Sequence, residues 1–256
     1  MKKYLYILLY NFLRQKTNQK DVIIRASFYL VLIYIFSCLW EISPLASKSI
    51  EGWRITWYIA ITELIILSNP IIYFDIESDV RSGDIAYHLS RPIHYLWMRI
   101  FENLGAYGFR FIFLFMVGFL FCVVTTKTIL PWQEMLVSIS LAFFSGSIFL
   151  LWHALIGLSA FTLQDCTPIF WLWQRSSFLL GGLLLPLDFY PEYLQKIAQW
   201  TPFASLLYCP AKQAIIFSPF EACFTFGKIC FWAILAIFLA SIFYKKAVRK
   251  LQVNGG

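Results

Sequence analysis

The sequence predicts an all-α integral membrane protein with six transmembrane helices. Of its 256 residues, 60% are hydrophobic, 20% aromatic and only 14% charged, whereas a soluble domain carries about 25% charged residues. The apolar residues form six runs that are each long enough to cross a hydrocarbon layer of about 30 Å. Backbone groups in hydrocarbon must bond within their own segment, so these runs predict helices. Strands of a β-barrel would be shorter and would alternate in polarity.

Residues 1–20 predict a helix that lies in the membrane interface. Two lysines precede a short apolar run, and a basic stretch with Arg14 and Lys16 follows it. At about 1.5 Å per residue, this run reaches only about half of the hydrocarbon layer. A secretory signal peptide would instead place a small-residue cleavage site after its apolar core.

The six predicted spans form a single multi-pass domain, residues 1–256. They cover residues 22–40, 53–74, 104–124, 135–163, 169–187 and 224–244. Most of the 21 Lys and Arg residues fall before the first span, in the loop 75–99 and after the last span. Because cytoplasmic loops collect Lys and Arg, both termini and that loop are predicted to lie in the cytoplasm.

The outer segment 188–223 is too long and too apolar for a simple loop. Four prolines divide it, and residues 192–200 have helical spacing. Short helical pieces that enter the outer leaflet fit this pattern if protein covers their backbone ends. The segment is therefore predicted to be re-entrant.

The loop 75–99 carries the densest mixed charge in the chain, and it is predicted to lie in water at a membrane face. Its lead-in is acidic, with Asp75 and Asp79, and a short helix is predicted next. That helix has an apolar face formed by Ile85, Ala86 and Leu89. The simplest interpretation of such a loop is a solvated connection, but an apolar ridge with charged flanks also suits docking to a soluble partner.

Several kinds of chemistry are excluded by the motifs that are absent. The sequence has no phosphate-binding loop of the Gly-x-x-x-x-Gly-Lys-Ser/Thr type, and no Gly-x-Ser-x-Gly or His-Glu-x-x-His pattern. Its six cysteines show no metal-ligand spacing, and His88, His94 and His153 are scattered. No catalytic residue, metal site or cofactor is predicted. The formal charge of +7 is assigned to the cytoplasmic side of a membrane rather than to nucleic acid.

Ionisable residues within the spans are the remaining functional candidates, because each is costly in hydrocarbon unless it is paired or hydrated. Glu63 and Arg110 lie in neighbouring spans, where a pair would be either a structural clasp or part of a polar substrate path. His153 is expected to be hydrogen-bonded between helices rather than to relay protons. Arg175 is expected to extend to the lipid headgroups, with a role in substrate access as the alternative.

Two strings resemble a known family. The run SGDIAYHLSRPIHYLWMRIFENLG, residues 82–105, resembles the loop of ABC-2 type transporter permeases, especially the six-span bacterial subunits. The run GGLLLPLDFYPEYLQKIAQWTPFASLLYCPA, residues 181–211, is similar to the stretch before the last span in that family. The order of elements agrees with the family over nearly the whole chain.

The resemblance implies a permease in a bacterial inner membrane, driven by separate ATPase subunits that bind ATP and Mg²⁺. It also implies export, and a second permease copy or paralogue, since one six-span chain forms half of a pathway. A coupling helix would contact the ATPase through Gly83, Asp84, Ile85, Ala86, Tyr87, Leu89, Arg91 and Pro92. A smaller second contact would come from Gln164 and Asp165 in the loop 164–168.

Two other classes stay open at this point. A secondary transporter driven by an ion gradient would need a site near the midplane, for which Glu63, Arg110 and His153 are the available residues. A membrane-embedded enzyme is disfavoured because no acids cluster and no nucleophile is paired with a base. No motif names the transported substrate.

Overall fold

Long apolar helices dominate the chain in a computed structural model that describes residues 2–16, 19–42, 51–163, 165–183 and 185–254. The described residues are mostly helical and include no strands. In chain order the helices are α1 (Lys2–Arg14), α2 (Gln19–Ile42), α3 (Gly52–Ser68), α4 (Ile72–Ser82), α5 (Asp84–Leu89), α6 (Tyr95–Thr126), α7 (Trp132–Gly157), α8 (Ala160–Leu163), α9 (Thr167–Leu180), α10 (Glu192–Gln199), α11 (Cys209–Lys212) and α12 (Pro219–Asn254).

Five segments of the described chain are long and apolar enough to cross a membrane, which supports a multi-pass membrane protein. They are Lys20–Trp40, Gly52–Ser82, Tyr95–Thr126, Trp132–Leu163 and Pro219–Arg249. The predicted span 169–187 is not among them. Its helix α9 has 14 residues and ends at Leu180, so it measures only about 21 Å. A sixth crossing therefore remains a prediction, and α9 alone is too short to make it.

The predicted span 53–74 is divided in two. Helix α3 ends at Ser68, and α4 begins at Ile72. Pro70 lies between them, where it lacks a backbone N–H and disfavours helical geometry at the residue before it. Asn69 Nδ2 donates a hydrogen bond to the Ile65 carbonyl at 2.8 Å, so it satisfies one of the carbonyl groups that the helix end exposes.

Helix α3 is the centre of the bundle and is buried on nearly all sides. Its neighbours are fixed to it by side-chain hydrogen bonds as well as by packing. The Tyr29 hydroxyl on α2 donates to the Ala60 carbonyl at 2.8 Å. On the other side, Tyr58 and Thr62 of α3 donate to the carbonyls of Gly182 and Leu183, just after α9. The chain after α9 is thus held against the core.

Helix α1 packs side by side with the first half of α6, and the two helices run in the same direction. Tyr4 stacks on Phe101 with ring centroids 5.3 Å apart, and Phe12 meets Phe109 at 5.5 Å. The prediction of a helix near the N-terminus agrees with α1, whereas its location in a membrane interface stays a prediction.

Gly105 permits the closest approach between α1 and α6. A Cβ atom at this position would overlap the Leu8 carbonyl oxygen and would lie 3.1 Å from its carbonyl carbon. One turn along, a Cβ at Gly108 would lie 3.7 Å from the Phe12 ring, an ordinary contact distance. The backbones therefore touch at Gly105 and diverge beyond it.

We expect Gly105→Ala to destabilise the α1–α6 contact by about 1–3 kcal/mol, the usual cost of forcing a methyl group into packed structure. Trypsin should then cleave faster after Arg14 and Lys16 in the detergent-solubilised protein. Gly108→Ala is the matched control and should be cleaved at the wild-type rate. Equal cleavage rates for the two variants would contradict the close contact at Gly105.

The segment 188–223 consists of short helical pieces. A 3₁₀ turn (Leu187–Phe189), α10, a π-helical turn (Ala204–Tyr208) and α11 follow one another. The π-helical turn is buried: Ser145 on α7 donates to the Leu206 carbonyl, and Trp232 Nε1 on α12 donates to Ser205 Oγ at 3.2 Å. Protein therefore covers this turn, while its depth in a membrane stays a prediction.

The bundle has two chemically different ends. At one end, which we call the basic end, α1, α4, α5 and the start of α6 meet the last part of α12, where the His94 and Tyr244 rings are 4.5 Å apart. At the opposite end, Arg54 pairs with Glu134 at 2.9 Å and donates to the Ile215 carbonyl at 3.1 Å. The loop 75–99 lies at the basic end.

Candidate functional site

The candidate site is the short helix α5 with the turn that precedes it. Helix α4 stops at Gly83, whose φ of +81° lies in the left-handed region that glycine adopts without strain. Ser82 Oγ donates to Asp84 Oδ2 at 2.8 Å across this turn. The chain therefore changes direction at Gly83, and α5 leaves α4 as a separate element.

The two sides of α5 differ in their exposure. Ile85 is buried and Leu89 is half-buried, so both pack against the chain's own core. Ala86 and Tyr87 are exposed, and the Arg91 guanidinium lies 4.3 Å from the centre of the Tyr87 ring. The prediction that Ile85, Ala86 and Leu89 form an apolar face directed at a partner is therefore wrong. The outward face is polar and aromatic instead, and it comprises Gly83, Asp84, Ala86, Tyr87, Arg91 and Pro92.

The acidic lead-in is not a solvated stretch, contrary to the sequence-based expectation. Asp79 is buried and accepts hydrogen bonds from Tyr95 Oη at 2.5 Å and from Arg99 Nη2 at 2.6 Å. Arg99 also pairs with Glu102 at 2.9 Å. His88 Nε2 on α5 lies 4.0 Å from Asp79 Oδ1. The Asp79–Arg99 pair therefore fixes α4 to α6 directly behind α5.

A second set of contacts fixes α4 to the connection between α8 and α9. Glu77 is buried, pairs with Arg81 at 3.2 Å and accepts a hydrogen bond from the Cys166 backbone N–H at 2.9 Å. Asp165 is exposed, and the Thr167 backbone N–H, which donates to its carboxyl, lowers its pKa below the usual value. Gln164 lies outside the described residues. The two predicted contact regions are thus joined through Glu77.

Arg110 pairs with a residue that the sequence did not indicate. Its Nη2 lies 2.8 Å from Asp21 Oδ2, in the first turn of α2, and not beside Glu63. Glu63 is buried in the second half of α3, and its carboxyl makes no ion pair or hydrogen bond with any residue that the structure describes. A Glu63–Arg110 clasp is therefore wrong. No local signal in the sequence joins positions 21 and 110.

His153 lies in an aromatic cluster. Its ring centroid is 4.9 Å from Phe149, 5.2 Å from Phe170 and 6.3 Å from Trp173. Its Nδ1 is buried and has no hydrogen-bond partner in the described chain, so the expected bond between helices is not seen at this atom. Arg175 is exposed, with its guanidinium 5.8 Å from the Trp171 ring centre. These two residues do not converge with Glu63 or Arg110 on one site.

The described residues contain no group of three or more His, Cys, Asp or Glu side chains that could hold a metal ion. The polar residues at the basic end instead form contacts between helices. The exposed face of α5 follows directly on α4, which is fixed to α6 by the Asp79–Arg99 ion pair and to the start of α9 by the Glu77–Cys166 hydrogen bond. Such an arrangement can transmit a displacement from a bound partner into the bundle.

Comparison with known protein families places these features in context. Residues 23–255 match the family described as ABC-2 family transporter protein. Comparison with curated proteins gives no match. The matched region covers more than half of the chain and includes each of the five long apolar segments apart from the start of the first. The chain therefore belongs to the ABC-2 family of transporter proteins, as a multi-pass membrane protein.

Proposed function

We propose that the chain is the permease subunit of an ATP-driven exporter, which forms the translocation pathway and receives force from a separate ATPase subunit. The observation that carries this proposal is the outward face of α5, exposed at the basic end and fixed to the bundle through Asp79 and Glu77. ATP and Mg²⁺ would be bound by the ATPase. The basic end would face the cytoplasm at the inner membrane, and both chain termini are proposed to lie on that side.

Force applied at α5 would reach the bundle along two routes. The first runs from α4 through Asp79 to Arg99 on α6, and the second from Glu77 to the backbone of Cys166 at the start of α9. Because both routes begin on α4, displacement of α5 would move α6 and α9 together. A second copy of the chain or a paralogue would complete the pathway and switch with it between two states.

We expect Asp84→Arg to lower recovery of the ATPase by about tenfold when the permease is purified from membranes, since a lost charge contact of about 1.4 kcal/mol changes affinity tenfold. ATP-dependent transport should fall with it. Asp84 is exposed, and its side chain bonds only Ser82 within the described chain, so insertion and folding should be unchanged.

Glu192→Arg is the matched control for that variant. It reverses an exposed acidic residue in the first turn of α10, at the opposite end of the bundle. The control should co-purify with the ATPase at the wild-type level. Transport at the wild-type rate by Asp84→Arg would rule out α5 as the docking site. The absence of any co-purifying ATPase from wild-type membranes would rule out the ATP-driven mechanism itself.

A secondary transporter driven by an ion gradient is the second candidate. One observation favours it: Glu63 is a buried carboxyl in the second half of the central helix, without an ion pair in the described residues. Intramembrane carboxyls of this kind often carry protons or ions. Transport by the isolated chain that vanadate does not inhibit, and that dissipation of the proton gradient abolishes, would favour this candidate over the ATP-driven one.

A further inference from the structure

A polar cavity of about 370 Å³ opens at the basic end between α1, α2, the α3–α4 junction and α6. Arginines dominate its charged lining: Arg14, Arg25, Arg99 and Arg110, against the carboxyls of Asp75 and Glu102. The proposed coupling helix α5 does not contribute to it. The cavity is therefore separate from the docking site proposed above. Three of its four arginines are paired: Arg99 with Asp79, and both Arg25 and Arg110 with Asp21.

Arg110 is the residue that points to a ligand in this cavity. Its side chain is only 9% exposed, and one amino group donates to Asp21. Its Nε and Nη1 atoms are buried and have no hydrogen-bond partner among the described residues. A buried guanidinium with two unsatisfied N–H groups is costly, because nearly all buried polar groups in proteins find a partner. An acceptor that is not part of the described chain would satisfy them.

The nearby carboxylates are already engaged by other residues. Asp21 accepts from both Arg25 and Arg110, and Asp75 accepts from Asn103 at 3.2 Å. Glu102 pairs with Arg99. Arg14 is exposed on α1 and makes no ion pair with the residues that the structure describes. The charge on Arg14 is thus available to an anion, and the unpaired donors of Arg110 lie buried beside the cavity.

The position of the cavity indicates what kind of anion can reach it. Arg110 pairs with the first turn of α2, where an apolar span begins, so the cavity lies at the boundary between that span and the basic end. A second cavity of about 390 Å³, lined by Lys16 and by the apolar residues Val22, Ile23, Phe109 and Phe113, shares Gln15 with it. A lipid with its headgroup beside Arg110 would thus have the apolar side chains of α2 and α6 close to its acyl chains.

We propose that this cavity binds a phosphate group, with Arg110 and Arg14 as its ligands. The planar guanidinium presents paired N–H donors that match phosphate oxygens, which makes arginine the preferred residue for this recognition. The phosphate comes from an anionic lipid headgroup or from free phosphate in solution, and the apolar side chains of the adjoining cavity favour the lipid. The proposal does not depend on the ATPase or on the direction of transport.

Native mass spectrometry of the detergent-solubilised full chain tests this proposal. Phosphatidylglycerol is titrated into the wild-type protein and into Arg110→Lys, which keeps the charge beside Asp21 but removes the planar group. We expect binding to weaken about tenfold, since the lost hydrogen bonds are charge-assisted. Arg14→Gln should weaken it as well, and this exposed site carries no risk to folding. Arg175→Gln, which removes an exposed arginine outside the cavity, should bind as the wild type does.

A parallel titration with inorganic phosphate distinguishes the two sources. Phosphatidylglycerol binding that depends on both arginines and persists in excess phosphate identifies a lipid site. Phosphate binding that depends on both arginines and displaces the lipid identifies a site for the free anion. Equal binding of phosphatidylglycerol and phosphatidylcholine by the wild type and every variant, or no binding of either probe, would overturn the proposal.

Discussion

Asp79→Ala is expected to destabilise the protein by about 3 kcal/mol, because removing one partner of a buried ion pair leaves the other charge uncompensated. The Asp79 and Arg99 side chains are only 10% and 15% exposed, so solvent does little to relieve the loss. The Tyr95 hydroxyl would lose its acceptor in the same step. Thermal unfolding in detergent should show a melting temperature about 6–12 °C below that of the wild type.

Two further variants separate the pair itself from general damage to this region. Glu102→Gln removes the more exposed partner of Arg99, at 29% exposure, and should lower the melting temperature much less. Asp79→Leu combined with Arg99→Met replaces both charges by apolar groups and should recover much of the loss. A melting temperature for Asp79→Ala within the range of Glu102→Gln would contradict a central role for the Asp79–Arg99 pair.

The helical architecture follows from the sequence because hydropathy is a local property. Each apolar run contains the information for its own helix, and the structure has long helices wherever 22–40, 104–124, 135–163 and 224–244 predict them. The departures at 53–74 and 169–187 lie where a local stop signal sits inside an apolar run, and the run 135–163 has a shorter break between α7 and α8. Pro70 ends α3, and Gly181 with Gly182 follows the end of α9. A hydropathy average over the whole run does not detect these residues, although they end the helices.

The polar contacts could not be predicted in the same way, because they join positions that are far apart in the chain. Arg99 looked like one more basic residue of a loop, and its partner Asp79 looked like one more acid in water. Arg110 looked like a charge inside a membrane span until α2 placed Asp21 beside it. Charge density alone indicated that the loop 75–99 matters, but only the packing of α4 on α6 explains why its acids are buried.

The orientation of α5 is another feature that the sequence could not predict. Helical spacing correctly grouped Ile85 with Leu89, but spacing cannot tell whether an apolar face points to a partner or to the chain's own core. Burial of Ile85 answers that question and leaves Tyr87 and Arg91 on the exposed side. A surface of this composition resembles the polar and aromatic parts of protein interfaces, where Tyr and Arg are enriched.

Gly83→Pro is expected to abolish ATP-dependent transport while the protein still inserts into the membrane. Proline fixes φ near −65°, whereas Gly83 has φ of +81°, so the turn between α4 and α5 cannot form. Proline also disfavours helical geometry at the preceding residue, which here is Ser82 at the end of α4. Transport into inverted membrane vesicles, measured together with ATPase activity, should show hydrolysis without movement of the substrate, or no bound ATPase.

The left-handed geometry of Gly83, rather than its small size, is what this prediction tests. A Cβ atom at Gly83 meets no other atom within 4 Å, so a larger residue fits in space and only φ opposes it. Asparagine adopts positive φ more readily than other non-glycine residues, so Gly83→Asn should retain most of the transport activity. Gly83→Val should lose most of it, because a β-branched residue strongly disfavours this region. Equal activity of the asparagine and valine variants would show that the turn does not set the position of α5.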